Sequence, residues 1–308
     1  MYDVRTTVFN MDSKIRNPQV PPPSGLKLTE IRNPNVSPDL ENIEIELLLE
    51  GLYQRYGYDF REYAPASLKR RILNFVASEK LQTISGLQEK VLHDHDCMER
   101  LLLALSINVT SMFRDPAFFL TFREKVVPIL RTYPFIRIWC AGCSTGEEVY
   151  SIAILLREEG LLEKSKIYAT DMNEVVLKKA KDGIYHLSLM KEYTNNYQQA
   201  SGKASFSDYY DAAYENAILD PSLKKIITFA QHNLVTDSSF NEFHVIMCRN
   251  VMIYFNKSLQ DRVYNLLNES LIMLGILCLG ERETIRFTAL ENSYDELEKG
   301  RKVYRKIR

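Results

Sequence analysis

"RIWCAGCSTGEEVYSIAILL", Arg137 to Leu156, decides the fold. An aliphatic run ends at Cys140, turns through Gly142 and Gly146, meets Glu147 and Glu148, and continues with apolar residues at helical spacing. Strand, glycine loop and helix in that order form the first crossover of an open parallel sheet, the place where such a sheet holds its ligand. The reading predicts that Gly142 and Gly146 let backbone approach the ligand, and that the helix N-terminus favours an anionic group. The loop matches neither the triphosphate-binding nor the dinucleotide-binding glycine pattern. Two glutamates there would repel a pyrophosphate and suit a ligand that carries positive charge.

Downstream, strand and helix alternate, the mark of a mostly parallel sheet with crossover helices. "FIRIWC", "SKIYATD", "KKIITFAQHNL", "FHVIMCRN" and "ILCLG" read as strands; "EEVYSIAILLREEG", "NEVVLKKAKDGIY" and "KSLQDRVYNLLNESLIMLG" read as helices. "KVYRKI" alternates and predicts an antiparallel edge strand. The segment from Tyr185 to Lys224 breaks the rhythm and predicts a short antiparallel insertion at about 195–224. Asp171 ends the second strand, where a carboxylate can accept hydrogen bonds from both hydroxyls of a ribose. An adenosine with a cationic tail and no phosphates is S-adenosylmethionine.

Upstream, residues 39–105 read as helices that form a small domain. Ser37 supplies a capping signal, Pro65 and Ser67 open a second helix, and "TISGLQEKVL" opens a third. Lys69, Arg70 and Arg71 make a basic cluster on the second, either a solvated face or a docking surface for an acidic partner. "HDHDC" (His93 to Cys97) lies in a helical stretch and reads as a solvated helix face, not a metal site. Residues 1–38 hold "NPQVPPPSG" and "NPNVSP" and read as an extended or disordered arm.

Composition excludes little. Lys and Arg number 39 against 40 Asp and Glu, so no overall field points to nucleic acid or to a membrane. No apolar run reaches a membrane span, and the N-terminus lacks the apolar core of a signal peptide. Five cysteines, an odd number, fit a reducing compartment, and a cytoplasmic protein is expected. Cys140 and Cys143 have the C-x-x-C spacing, but no second pair completes a zinc site, so they read as structural thiols.

Four segments then occur in order: "NVTSMFRD", "CAGCSTGEEVYSIA", "IYATDMNEVVLKKAKDGIY" and "CRNVMIYFNKSLQDRVYNLL". Together they resemble the signature of the chemotaxis receptor methyltransferase (CheR) family, the protein-glutamate O-methyltransferases. "LYQRYGYDFREYAPASLKRRI" resembles that family's helical N-terminal domain. The resemblance implies a Rossmann-like, S-adenosylmethionine-dependent methyltransferase domain over 106–308, behind an all-helical domain, with a β-subdomain inserted in it. It implies cofactor contacts at Asn108, Thr110 and Arg114, at Glu148, at Asp171, at Asn233 and Leu234, and at Arg249 and Asn250. Its partner would be the acidic helical bundle of a chemoreceptor or similar signalling protein. In the family the β-subdomain can bind a receptor's tether peptide; here its sequence diverges, which counts against that function.

Plainer readings stand beside these. Asp171 could cap the helix that begins near Asn173, and Glu148 could simply favour the helix dipole. Asp115 and Pro116 read as a helix cap and first residue, with Arg114 just ahead of them facing the cleft. The chemistry itself asks for no base, since a free glutamate is almost wholly ionised at pH 7. Arg114 and Tyr254 are therefore assigned to orienting acceptor and cofactor. Two other functions stay open: a non-catalytic module that keeps the cofactor pocket as a sensor or scaffold, and a nucleotide-dependent oxidoreductase, which the missing glycine fingerprint disfavours.

Overall fold

A computed structural model describes residues 37–106 and 110–308. Of the arm expected over 1–38, only Ser37 and Pro38 fall among them, and Asn108 lies outside them. The helical region begins as its caps dictate. Ser37 Oγ accepts the Leu40 N–H at 3.2 Å, and α1 runs Pro38–Tyr56 to an αL cap at Gly57. α2 is Pro65–Ser78, and α3 is Ile84–His93, capped by Thr83. The stretch read as one helix through "HDHDC" is two. Asp94 takes an extended conformation, and its carboxylate accepts the Cys97 N–H to start α4, His95–Leu105. A side chain that bonds a nearby N–H competes with helix propagation, and here it wins. The break also splits the cluster, with Cys97 buried and His95 exposed. Leu48, Leu52, Ile72, Leu87, Val91 and Leu101 fill a core between these four helices, and Met172 from the sheet packs against it.

Helix α5, Pro116–Thr121, continues through a π-helical turn into α6, Val127–Arg131. Then the alternation begins: β1 Ile136–Ala141, α7 Glu147–Glu158, β2 Ser165–Asp171, α8 Glu174–Asp182. The insertion starts earlier than its sequence suggests. Gly183, at φ 59, ends α8, and "IYH" becomes strand β3, Ile184–His186, instead of helix. After α9, Met190–Gln199, come β4 (Tyr210–Ala213) and β5 (Asn216–Leu219), making an antiparallel sheet in the order β3-β5-β4. α10 (Pro221–Lys224) leads back through β6 (Ile227–Gln231) and β7 (Phe243–Cys248) to α11 (Lys257–Ser270) and β8 (Leu271–Leu279).

"LIMLG" therefore belongs to the strand, not to the helix before it. Pairing steps from Phe243↔Leu271 to Val245↔Ile276, so the residues between bulge out and leave Met273 and Leu274 exposed. A short apolar run carries too little periodicity to separate the two states. The last strands are β9 (Tyr294–Glu296) and β10 (Val303–Lys306). β10 is antiparallel to β8 as expected, but β9 takes the edge.

The main sheet has the order β6-β2-β1-β7-β8-β10-β9, and its first five strands are parallel. Its central strands are buried on both faces. Ile138 and Cys140 point into one core, Trp139 and Ala141 into the other, which is why β1 reads as a continuous apolar run. From β1 the chain winds outward to β2 and β6, and from β7 it winds the other way. The reversal between β1 and β7 opens a crevice at the strands' C-terminal ends. Among the described residues, no helix is long and apolar enough to cross a membrane.

Candidate functional site

A cleft of about 660 Å³ occupies that crevice. Its walls are the ends of four strands: Gly142 and Ser144 after β1, Asp171 and Met172 at β2, His232 to Val235 after β6, and Asn250, Val251, Tyr254 and Phe255 after β7. The helical region closes it with Tyr63, Leu105 and Ser106.

Asp171 is the polar anchor of this cleft. Oδ2 accepts the Ser144 N–H at 2.9 Å and Oδ1 accepts the Asn173 N–H at 3.0 Å. It does not cap α8; Asn173 does that, taking the Val175 N–H at 2.9 Å. Burial raises the Asp171 carboxyl above the usual aspartate range, and the backbone N–H groups of Asn173, Ser144 and Met172 only partly offset it. Each oxygen has a second lone pair to offer. Asn233 spends Oδ1 on the Val235 N–H at 3.0 Å, which leaves its Nδ2 as a donor, and Leu234 is buried beside it.

The glycine loop works differently from its sequence reading. Gly142 has φ +73, and a Cβ on it would lie 2.5 Å from Val251 Cγ2. Gly146 has φ +93, and its Cβ would lie 2.9 Å from that of Ala180. Both glycines admit the chain's own neighbouring elements, and only Gly142 also lines the cleft. The glutamates diverge because consecutive helical residues point about 100° apart. Glu147 is buried under α9, accepting from Thr145 Oγ1 at 2.7 Å and Tyr193 OH at 3.3 Å. Glu148 turns to Arg249.

Arg249, expected at the cofactor, is a buried clamp. Nη1 donates to Glu148 Oε2 at 2.6 Å; Nη2 donates to Asp115 Oδ2 at 2.8 Å and to the Arg114 carbonyl at 3.3 Å. Its guanidinium stacks 4.0 Å over the Phe118 ring. Asp115, read as a helix cap, sits at the cap position at φ 58 but makes no capping bond; its carboxylate goes to Arg249 instead. Burial raises Glu148's carboxyl, with Arg249 and Arg114 opposing. Thr110, Arg114, Glu148 and Arg249 are not among the residues that line this cleft.

Tyr254 projects from a 3₁₀ turn after β7. Burial raises its phenol, and Arg71, Arg114 and Arg282 pull it down, so three cations act on this group. The Arg71 guanidinium lies 5.3 Å from the ring centroid. Sequence reasoning missed what holds this turn. Glu283, only 4% exposed, accepts four backbone N–H groups, from Asn250, Val251, Met252 and Gly280, at 2.7–2.9 Å. Gly280 must be glycine, since a Cβ there would lie 2.8 Å from Asn250 N. No local signal in Gly280-Glu281-Arg282-Glu283 singles this glutamate out.

The family model described as "CheR methyltransferase, SAM binding domain" matches residues 108–300, and "CheR methyltransferase, all-alpha domain" matches 43–106. The chain belongs to the CheR methyltransferase family. It is 54% identical to the Pseudomonas putida protein Cher3 over 86% of this chain and 97% of that one. It is 31% identical to a chemotaxis protein methyltransferase of Listeria innocua, over 74% and 85% of the two chains. A Borreliella burgdorferi protein of the same name is 29% identical over 82% and 92%.

S-adenosylmethionine is the cofactor of this CheR-family chain. The cleft's chemistry fits it: an oriented carboxylate at Asp171, an amide donor at Asn233 beside apolar Leu234 and Val235, and no cation on the loop after β1 to favour phosphates. Of the residues expected at the site, Gly142, Asp171, Asn233, Leu234, Asn250 and Tyr254 converge on the cleft. All five cysteines are free and buried, and burial holds Cys140, Cys143 and Cys248 as protonated thiols.

Proposed function

We propose that this chain transfers the cofactor's methyl group to glutamate side chains of chemoreceptor proteins in the cytoplasm, forming methyl esters. The observation that carries the reading is the position of Tyr254, which shares one cleft with Gly142 and Asp171 and stands under the Arg71 guanidinium. The names of the Listeria and Borreliella relatives support the pathway.

When bound, the cofactor supplies an electrophilic methyl on a sulfonium. The chain's residues have no proton to remove, because the acceptor arrives ionised. Asp171 holds the ribose hydroxyls, and Asn233, Leu234 and Asn250 hold the base. Glu148, its Oε2 committed to Arg249 and 19% of its side chain exposed, presents negative charge to the cationic end. Thr110 is assigned to the same end of the cofactor, as is Asn108, which lies outside the described residues. Arg114 and the neutral Tyr254 orient the incoming carboxylate, which must meet the methyl in line in a dry site. Cations that act on the carboxylate without a bidentate clamp steer it without quenching its attack.

Methyl esters remove repulsion between neighbouring carboxylates on a helical bundle, a charge change able to shift a signalling equilibrium. The test is incubation with methyl-labelled cofactor and membranes that hold candidate receptors. Base-labile label in the receptor band supports the reading; label absent, or stable to base, overturns it.

A further inference from the structure

One wall of the cofactor cleft comes from the other domain. Tyr63 lies in the link between α1 and α2, and that link is pinned to the turn after β7 on both sides. The Ala64 N–H donates to the Tyr254 carbonyl at 2.8 Å, and the Asn256 N–H donates to the Glu62 carbonyl at 2.9 Å. Tyr63 itself forms an isolated antiparallel bridge with Phe255. Its ring packs edge-on against Phe60 and Phe255, each at 5.0 Å between centroids. The ring is therefore held in place, and so is its hydroxyl.

That hydroxyl is poorly used. Its partner among the described residues is Met172 Sδ, at 3.8 Å, and a thioether is a weak acceptor. Tyr63 and Asp171 line the same cleft, and Asp171 is close enough for its charge to raise the phenol further above its usual range, after burial. A neutral phenol thus stands beside the carboxylate assigned to the ribose, with most of a hydrogen bond left to give. An apolar plug between domains would need the ring alone, and phenylalanine would serve for that.

We propose that Tyr63 donates a hydrogen bond to the ribose of the bound cofactor, so that the helical domain reads the cofactor together with the sheet. This rests on the assignment of Asp171 to the ribose. Tyr63 is then a positioning residue whose occupancy ties the helical domain to the loaded cleft. Cofactor binding would tighten the seam between Tyr63 and Phe255.

The test is calorimetric titration of the full chain with S-adenosylhomocysteine and with its 2′-deoxy and 3′-deoxy counterparts. Wild type, Tyr63→Phe and Asp171→Asn are compared. Tyr63→Phe keeps both ring contacts, and a single neutral hydrogen bond corresponds to about three- to tenfold in affinity. The expected result is a loss of that size for the parent ligand, and little or no loss for one of the deoxy ligands. An unchanged Kd in Tyr63→Phe, or an equal loss for all three ligands, overturns the proposal. If Asp171→Asn loses discrimination between the ligands while Tyr63→Phe does not, the ribose assignment stands and only Tyr63's part falls. If wild type binds all three equally, the ribose assignment itself falls, and the proposal with it.

Discussion

Arg249 and Glu148, 101 residues apart in the chain, meet at 2.6 Å with 1% of the arginine side chain exposed. The same guanidinium holds Asp115, so one cation ties β7's end to α7 and to the entry of α5. This clamp joins three of the segments that carry the family signature, and none of its three residues lines the cleft.

Removing that cation would strand two partly buried carboxylates. Arg249→Ala is expected to destabilise the protein by roughly 3–5 kcal/mol. Arg249→Lys should fail to rescue most of it, because a single ammonium cannot present the two-pronged fork. Arg249→Met combined with Glu148→Gln should recover part of the loss. Urea denaturation followed by far-UV circular dichroism checks this; an Arg249→Ala midpoint equal to wild type would show that the clamp contributes nothing.

What the sequence made legible was local. The strand–loop–helix at Arg137–Leu156, the caps at Ser37 and Thr83, and the carboxylate at the end of β2 each depend on residues within a turn or two of one another. What it hid was pairing over distance. Nothing near Glu283 announces that it will bind the N–H groups of Asn250, Val251 and Met252, over thirty residues upstream. Glu148 looked free for a ligand because its cation lies on another strand. Gly142 looked like a space for cofactor because Val251, which fills that space, follows β7. β9 was missed because three residues carry no readable period.

If Asp171 holds the ribose as proposed, cofactor affinity should depend on pH. Burial raises its folded-state pKa, so the folded, empty protein takes up this proton more readily than the unfolded chain, and this contribution to stability fades as pH rises through that pKa. A ribose that donates to the carboxylate favours the ionised form. Affinity for S-adenosylhomocysteine should therefore fall as pH drops through a value above the ordinary aspartate range of about 3.9. Asp171→Asn should bind about 10- to 100-fold more weakly at pH 7 and lose this dependence. Titrations between pH 7 and the acid limit of folding decide it; a wild-type profile without a step would remove Asp171 from the ribose.

Tyr254 should affect rate more than cofactor binding. Its phenol is raised above 10 by burial, so it stays neutral through the working range and acts only as a donor. Tyr254→Phe keeps the ring under Arg71 and is expected to lower kcat by about 10-fold or more, the loss of one oriented hydrogen bond to a charged group. Cofactor affinity should change less than about twofold on the same scale. Calorimetry beside initial-rate kinetics separates the two effects; binding lost in step with turnover would place Tyr254 at the cofactor.

The basic cluster divides between two tasks. Three consecutive helical residues fan out by about 100° each. Lys69 pairs with Glu41 at 2.8 Å, and Arg71 donates to the Leu105 carbonyl at 2.8 Å while standing over Tyr254. Arg70 is the exposed member, and Lys69 and Arg71 are half-buried. Arg70→Glu should raise KM for an acidic receptor by several-fold at low salt, an effect that shrinks as screening sets in, and should leave cofactor affinity unchanged. Arg71→Gln should instead lower kcat, since the cation beside Tyr254 is lost while the amide can still reach Leu105. If Arg70→Glu and Arg71→Gln gave the same kinetic signature across a salt series, the two arginines would share one role, against the directions in which their side chains point.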